Sequence, residues 1–180
     1  TGLNADQVAA MTTDQVGAIT SRQINYFSAD QIVEMSSEQL QALSTTNIAR
    51  LSGSTINALE SDQVRALSTD QIQALSNRQI RYISSDQLNV MSSDQLQALD
   101  TADIRKMTND QLSNLETDQL VLLTTDQINA LSSRQFKQFT DGQINALTSD
   151  QVQNLSAGLV RAISSDQISG MSSDQLLSLT

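Results

Sequence analysis

The sequence predicts an all-α fold: an elongated solenoid of ultra-short capped helices, one for every eight residues. Three observations predict it. An eight-residue beat runs from Asp6 to Leu176 without insertion or deletion. Two aliphatic columns stand three residues apart within each octad and five apart between octads. A helix-capping signature recurs just before each aliphatic pair.

The beat comprises twenty-two octads, from Asp6-Gln7-Val8 to Asp174-Gln175-Leu176, with the consensus Ser/Thr, Ser/Thr, Asp, Gln, aliphatic, variable, Ala, Leu. The fourth position is Gln in eighteen of them, the exceptions being Asn47, Thr55, Asp103 and Leu159. The fifth position is always Ile, Leu, Val or Phe, and the eighth always Leu, Ile, Met or Phe. These two columns are the expected core.

A spacing of three suits one face of a helix, but a spacing of five does not. In a continuous helix eight residues overshoot two turns by about 80°, so the apolar positions would wind around the rod. The helix must therefore break once per octad. Ser84-Ser85-Asp86-Gln87-Leu88-Asn89-Val90-Met91 shows where. Ser84 is the N-cap, and Gln87 at N3 reaches back to the Ser84 amide while the Ser84 hydroxyl accepts from the Gln87 amide. Asp86 at N2 sits where negative charge suits the helix start. Leu88 and Met91 face inward, and Ser92 opens the next helix, so helices of six to eight residues are expected. Isolated helices need ~12–15 residues to persist, so stacking on neighbouring repeats must hold them.

The corners between octads read Leu-Ser or Leu-Thr, and only six Gly occur in the chain, irregularly placed. A sharp reversal usually wants Gly or Asn in the left-handed region. A partial turn at each corner is therefore expected, giving a polygonal coil of three or more helices around one narrow core. At about three and a half octads per coil, a seven-octad period would be two coils.

Such a seven-octad period exists. Arg replaces Asp at Arg22, Arg78 and Arg134, seven octads apart each time, and each opens an octad richer in aromatics: RQINYF, RQIRYI and RQFKQF. Three octads after each, the Asp-Gln pair is lost, at Thr46-Asn47, Ala102-Asp103 and Gly158-Leu159, and an Arg follows: Arg50, Arg105, Arg161. The chain thus reads as one array, residues 1–180, in about three blocks: 22–77, 78–133 and a partial 134–180. One reading is plain duplication. The other is a contact band of Arg22, Tyr26, Arg78, Tyr82, Arg134 and Lys137 facing a glycan, peptide or protein, since Arg and Tyr are favoured at contacts.

Composition narrows the function. A net charge of −10 and pI near 4.1 oppose nucleic acid and anionic membranes, which are bound through clustered Lys and Arg. The chain has no Cys, His, Trp or Pro, which removes disulfides, thiol and imidazole chemistry and the commonest metal ligands. No apolar run approaches the ~18 residues of a membrane span, and TGLNADQ lacks the basic end and apolar core of a signal peptide. Thirteen octads carry Asp at the third position. Helix-start electrostatics explains that column without Ca²⁺, which needs six to eight converging oxygens. The Ser and Thr residues have no activating base, and capping accounts for the first of each pair. Met11, Met35, Met91, Met107 and Met171 all stand in the eighth, core column. No catalytic residue, cofactor or metal ligand is expected.

The runs ALSTDQIQALS, VMSSDQLQALD and LLTTDQINALS resemble octapeptide repeat arrays in very large secreted or surface adhesin-like proteins of Gram-negative bacteria. The resemblance covers the whole chain. It implies a structural or spacer segment of a longer extracellular or surface protein, not an enzyme. Self-association into fibres, end to end or side by side, is a further expectation, since an excised array leaves core at its ends. The alternative is a binding module using the Arg/aromatic band.

Leu99→Ala should cost about 2–5 kcal/mol as a core cavity and Gln95→Ala about 0.5–2 kcal/mol as a lost cap or hydrogen bond, both read from urea unfolding. A calcium chelator should leave the unfolding midpoint where it is; loss of the fold on chelation would return the Asp column to a metal role.

Overall fold

A computed structural model describes residues 2–179. Among them are twenty-one α-helices and one 3₁₀ helix, Ile24–Tyr26, and no strand. Their starts follow the capping residues. In Ser85–Asn89, the Gln87 amide donates to Ser84 Oγ at 3.0 Å and the Ser84 amide to Gln87 Oε1 at 2.9 Å. The same reciprocal pair opens the octad where Asp100 stands in for Ser or Thr, because a carboxylate oxygen accepts as a hydroxyl does; at Glu60 the Gln63 half remains, the Glu60 amide donating to Gln63 Oε1 at 2.9 Å.

The α-helices are four to six residues long, not the six to eight that the octad suggests. The eighth residue closes the unit with a tighter bond to the fifth, as from the Leu43 amide to Leu40 O at 3.2 Å, and is then spent on the corner. At that corner Leu43 (φ −66°, ψ 134°) and Ser44 (φ −63°, ψ 154°) are both extended. No non-glycine residue among those described has positive φ. The chain turns through two ordinary extended residues, so no glycine is required.

The chain divides into two compact units, Thr1–Ala98 and Leu99–Thr180. Within each, a helix packs on the helix three octads along: Ala29–Val33 on Gly53–Ala58 and Ser37–Ala42 on Ser61–Ala66 in the first, Thr101–Ile104 on Thr125–Ala130 and Asp141–Ala146 on Ser165–Gly170 in the second.

The fourth-position glutamine fixes this stacking. Except at Gln119, whose buried Oε1 has no partner, Oε1 is held by its own N-cap amide, and Nε2 reaches the preceding coil. Gln95 Nε2 donates to Val64 O at 2.8 Å, Arg65 O at 3.2 Å and Leu67 O at 2.7 Å. In the second unit Gln143 Nε2 donates to Leu112 O and Leu115 O, each at 2.7 Å. These acceptors lie 28 to 31 residues back. Sixth-position amides reach 25 residues forward, from Gln41 Nε2 to Ala66 O at 2.6 Å, Asn57 Nδ2 to Tyr82 O at 2.9 Å and Asn129 Nδ2 to Asn154 O at 2.6 Å. The backward and forward reaches bracket one interval, three and a half octads, which is the length of a coil.

Around that coil the fifth and eighth columns turn inward. Ile32, Leu40, Ile48, Ile72 and Ile80 are fully covered, and Leu43, Leu59, Leu67 and Leu75 nearly so. Every buried polar side chain among the described residues belongs to the fourth column. For glutamines such as Gln87 and Gln95 burial is tolerable because both ends of the amide are bonded; an unpaired amide there would carry its full desolvation cost.

The ladder raises the expected effect of the glutamine substitution. Gln95→Ala removes a capping-box acceptor and leaves buried carbonyls of Val64 and Leu67 without that donor, so it should cost about 2–4 kcal/mol. Gln15→Ala, at an exposed position whose bonds are the box pair with Thr12, should cost about 1 kcal/mol or less. Equal losses in urea unfolding would mean that the inter-coil bonds contribute nothing.

Candidate functional site

The third column carries the acidic residues, and the residues that interrupt it form a local pattern in the first unit. Arg22, Thr46, Ser54 and Arg78 replace Asp there. Successive members are separated by three octads, one octad and three octads, and Thr46 and Arg78 by four. On a coil of three and a half octads, offsets of three and four octads are the two neighbours on the adjacent coil. The four positions therefore adjoin, and a stretch of surface loses its carboxylates.

Two clefts lie there. One, of about 440 Å³, is lined by Ala49, Leu51, Ser52, Ser54, Arg78 and Tyr82, with Gly53, Ser76 and Gln79 completing it. The other, of about 250 Å³, is lined by Asn25, Phe27, Ser28, Arg50 and Thr55 among others, and shares Leu51, Ser52 and Ser54 with the first. Neither lining holds an Asp or Glu, although the chain has 20 acidic residues to 10 basic. Arg22, Arg50 and Arg78 are exposed, and none takes part in the ion pair seen among the described residues, Arg65 Nη1 to Asp62 Oδ1 at 2.8 Å.

Gly53 seats the aromatic residue of this site. A methyl group there would run into Cγ, Cδ2 and Cε2 of Tyr82, so the ring lies against the glycine backbone, and Asn57 Nδ2 holds the Tyr82 carbonyl. The structure thus brings Arg78 and Tyr82 together. Tyr26, 65% exposed, borders a separate cleft with Gln15, Gln23 and Phe27. Arg134 and Lys137 lie in the second unit, exposed on and just after the helix Ser133–Phe136. The phenylalanines of that octad are core: Phe136 and Phe139 are buried with ring centroids 5.1 Å apart. Gly53, Ser52, Ser54 and the placement of Arg50 escape the sequence reading. The separation of Gly53 from Tyr82, one residue more than a coil, carries meaning only once the coil length is known.

The four fourth-column exceptions keep different parts of the glutamine's work. Asn47, one methylene shorter, still donates from Nδ2 to Ile19 O at 2.7 Å, but its buried Oδ1 has no partner. Thr55 bonds locally, to Ser52. Leu159 is apolar, and the orphaned Ser156 amide donates instead to Asn129 Oδ1 at 2.7 Å. Asp103 keeps the box, accepting from the Asp100 amide at 3.1 Å while its own amide donates to Asp100 Oδ1 at 2.7 Å. Desolvation of the buried carboxyl pushes its pKa up to about 6, against the backbone hydrogen bond from Asp100; the nearby Asp100 charge adds to the rise.

The ALTTAQ repeat family matches the chain at residues 48–77, 69–101, 96–133 and 128–157, together spanning 48–157. The matches are 30 to 38 residues long, somewhat more than one coil each. No match was found among curated proteins.

Asp103 makes stability depend on pH. Its folded pKa is raised, so the stability it contributes is fully present below about pH 4 and lost as pH rises through 6. Asp103→Asn should therefore stabilise the protein at pH 7.5 by about 1–2 kcal/mol and do little at pH 4. Urea unfolding of both proteins across that range checks it; a difference that does not change with pH would rule out titration of Asp103.

Proposed function

Because the chain belongs to the ALTTAQ repeat family, we propose that it is a structural spacer segment of a large bacterial extracellular or surface protein. The observation that carries this reading is the repeated glutamine bond set. Gln71, Gln87 and Gln95 each take hold of the same three carbonyl positions on the coil below. A contact that depends only on octad register lets repeats be added or removed in whole octads without designing a new interface. Length then becomes a quantity that can change by duplication, as a spacer requires. The acidic surface and the absence of cysteine in the sequence suit that location without specifying it.

The test uses the full-length protein in its host. Antibody raised against residues 1–180 should label intact, unpermeabilised cells or the secreted fraction. In-frame deletion of residues 78–133, which preserves octad register, should leave that labelling at the parental level. Labelling only after permeabilisation would exclude the surface location. A deletion that abolished export or display would exclude a spacer role.

A further inference from the structure

The coil length gives the basic residues a pattern that the sequence alone does not. Arg22, Arg50 and Arg78 follow one another at three and a half octads, and Arg105, Arg134 and Arg161 at the same interval to within one residue. That interval is one coil, so each unit places an arginine on the same side in successive coils, apart from Arg65 and Arg81, which fall outside the series. The clefts bear this out in the first unit: Arg50 lines a cleft with Asn25 and Ser28 of the coil before it, and Arg78 lines one with Ala49, Leu51 and Ser52 of the coil before it. In the second, Gln135, next to Arg134, donates to Arg105 O at 3.3 Å, and Ser133, on its other side, to Gly158 O at 3.0 Å. All six guanidinium residues are exposed, as are Lys106 and Lys137 beside the ladder.

We propose that each arginine ladder is a binding ridge for a linear acidic polysaccharide whose carboxylates are spaced among neutral sugars. The spacing of charge selects this chemistry. Stacked helices lie about 8–10 Å apart, so the ladder offers one guanidinium per step of that size. Nucleic acid, with a phosphate every ~3.4 Å of each strand, is far denser, and the chain's net charge of −10 repels it outside the ladder. A guanidinium takes a carboxylate in a bidentate fork. Between the rungs the clefts present what a neutral sugar uses: the Ser28, Ser52 and Ser54 hydroxyls, the Asn25 amide and the Tyr82 ring seated on Gly53. An acidic peptide would gain the arginines but no apolar side-chain pocket and, among the described residues, no sheet edge to pair with. This ridge does not depend on the spacer reading.

The test is a titration of the ¹⁵N-labelled chain with a hyaluronan decasaccharide, in which uronic acid alternates with a neutral sugar. Chitohexaose serves as the uncharged control, poly-glutamate as the acidic peptide and oligothymidylate as the dense polyanion. Hyaluronan should give saturable shifts at Arg50, Ser52, Gly53, Ser54, Arg78 and Tyr82, weakening as salt is raised. The double variant Arg50→Ala/Arg78→Ala, with an unchanged melting curve because both residues are exposed, should lose roughly tenfold or more in affinity. Arg65→Ala, which alters an arginine already paired, should stay within about twofold of the parent. Failure of hyaluronan to saturate, retained affinity in the double variant, or tighter binding of chitohexaose, poly-glutamate or oligothymidylate would overturn the proposal. Gly53→Ala adds a readout independent of charge: by unseating Tyr82 it should weaken hyaluronan binding about threefold or more with both arginines in place.

Discussion

A single carboxamide, repeated every eight residues, does two jobs that the fold cannot separate. Its oxygen closes the capping box that starts a helix, and its nitrogen holds the carbonyls left open at the end of a helix one coil earlier. A helix of four to six residues has at least as many unsatisfied backbone groups as satisfied ones, because the first four amides and last four carbonyls have no intrahelical partner. Gln87 answers both deficits: its Oε1 accepts from Ser84, and its Nε2 donates to Ile56, Asn57 and Leu59. Glutamate would keep the first function and oppose carbonyl oxygens with a charge. Asparagine is too short for both, as the unpartnered Oδ1 of Asn47 shows. Only a side chain of glutamine's length with an acceptor and a donor on one carbon spans the two.

The apolar columns follow from that arrangement. With the amide fixing the rotation of each short helix, the fifth and eighth residues have one direction left, toward the axis, and the corner between them is made by two extended residues with no strained backbone. Where the amide is lost the consequences are local. Asn129 covers the Ser156 amide in place of Leu159's missing oxygen, and Asp103 retains the box while its buried carboxyl becomes reluctant to ionise. The array tolerates such defects because each repeat touches only the coils beside it.

Much of this could be read from the sequence. The three-then-five spacing of residues such as Leu88, Met91 and Leu96 dictates a break per octad, and Ser84 with Gln87 locates it. The Leu-Ser corner, without glycine, dictates a partial turn. Two things were not legible. Helix length came out shorter because the eighth residue is shared between closing one helix and making the corner, a division that backbone geometry decides and composition does not. The partners across coils were hidden as well. Gly53 and Tyr82 stand one residue more than a coil apart, and Asn129 and Ser156 one residue less, intervals that match no helical or octad period. They become neighbours only through the coil length.

That length also explains why departures from the consensus come in the pattern they do. A coil is three and a half octads, so a residue in the third position of one octad stands one coil away from the seventh position of another, as Arg22 does from Arg50 and Arg50 from Arg78. The octad register recovers only after two coils, seven octads, the interval between Arg22 and Arg78 in the first unit. A change that must recur on the same side and in the same octad position therefore has to recur every seven octads. Copying shorter runs of octads would keep the glutamine ladder intact but scatter the arginines around the coil. The ladder of amides constrains duplication to whole octads, whereas the alignment of surface residues constrains it to seven. A block of seven is the smallest unit that satisfies both.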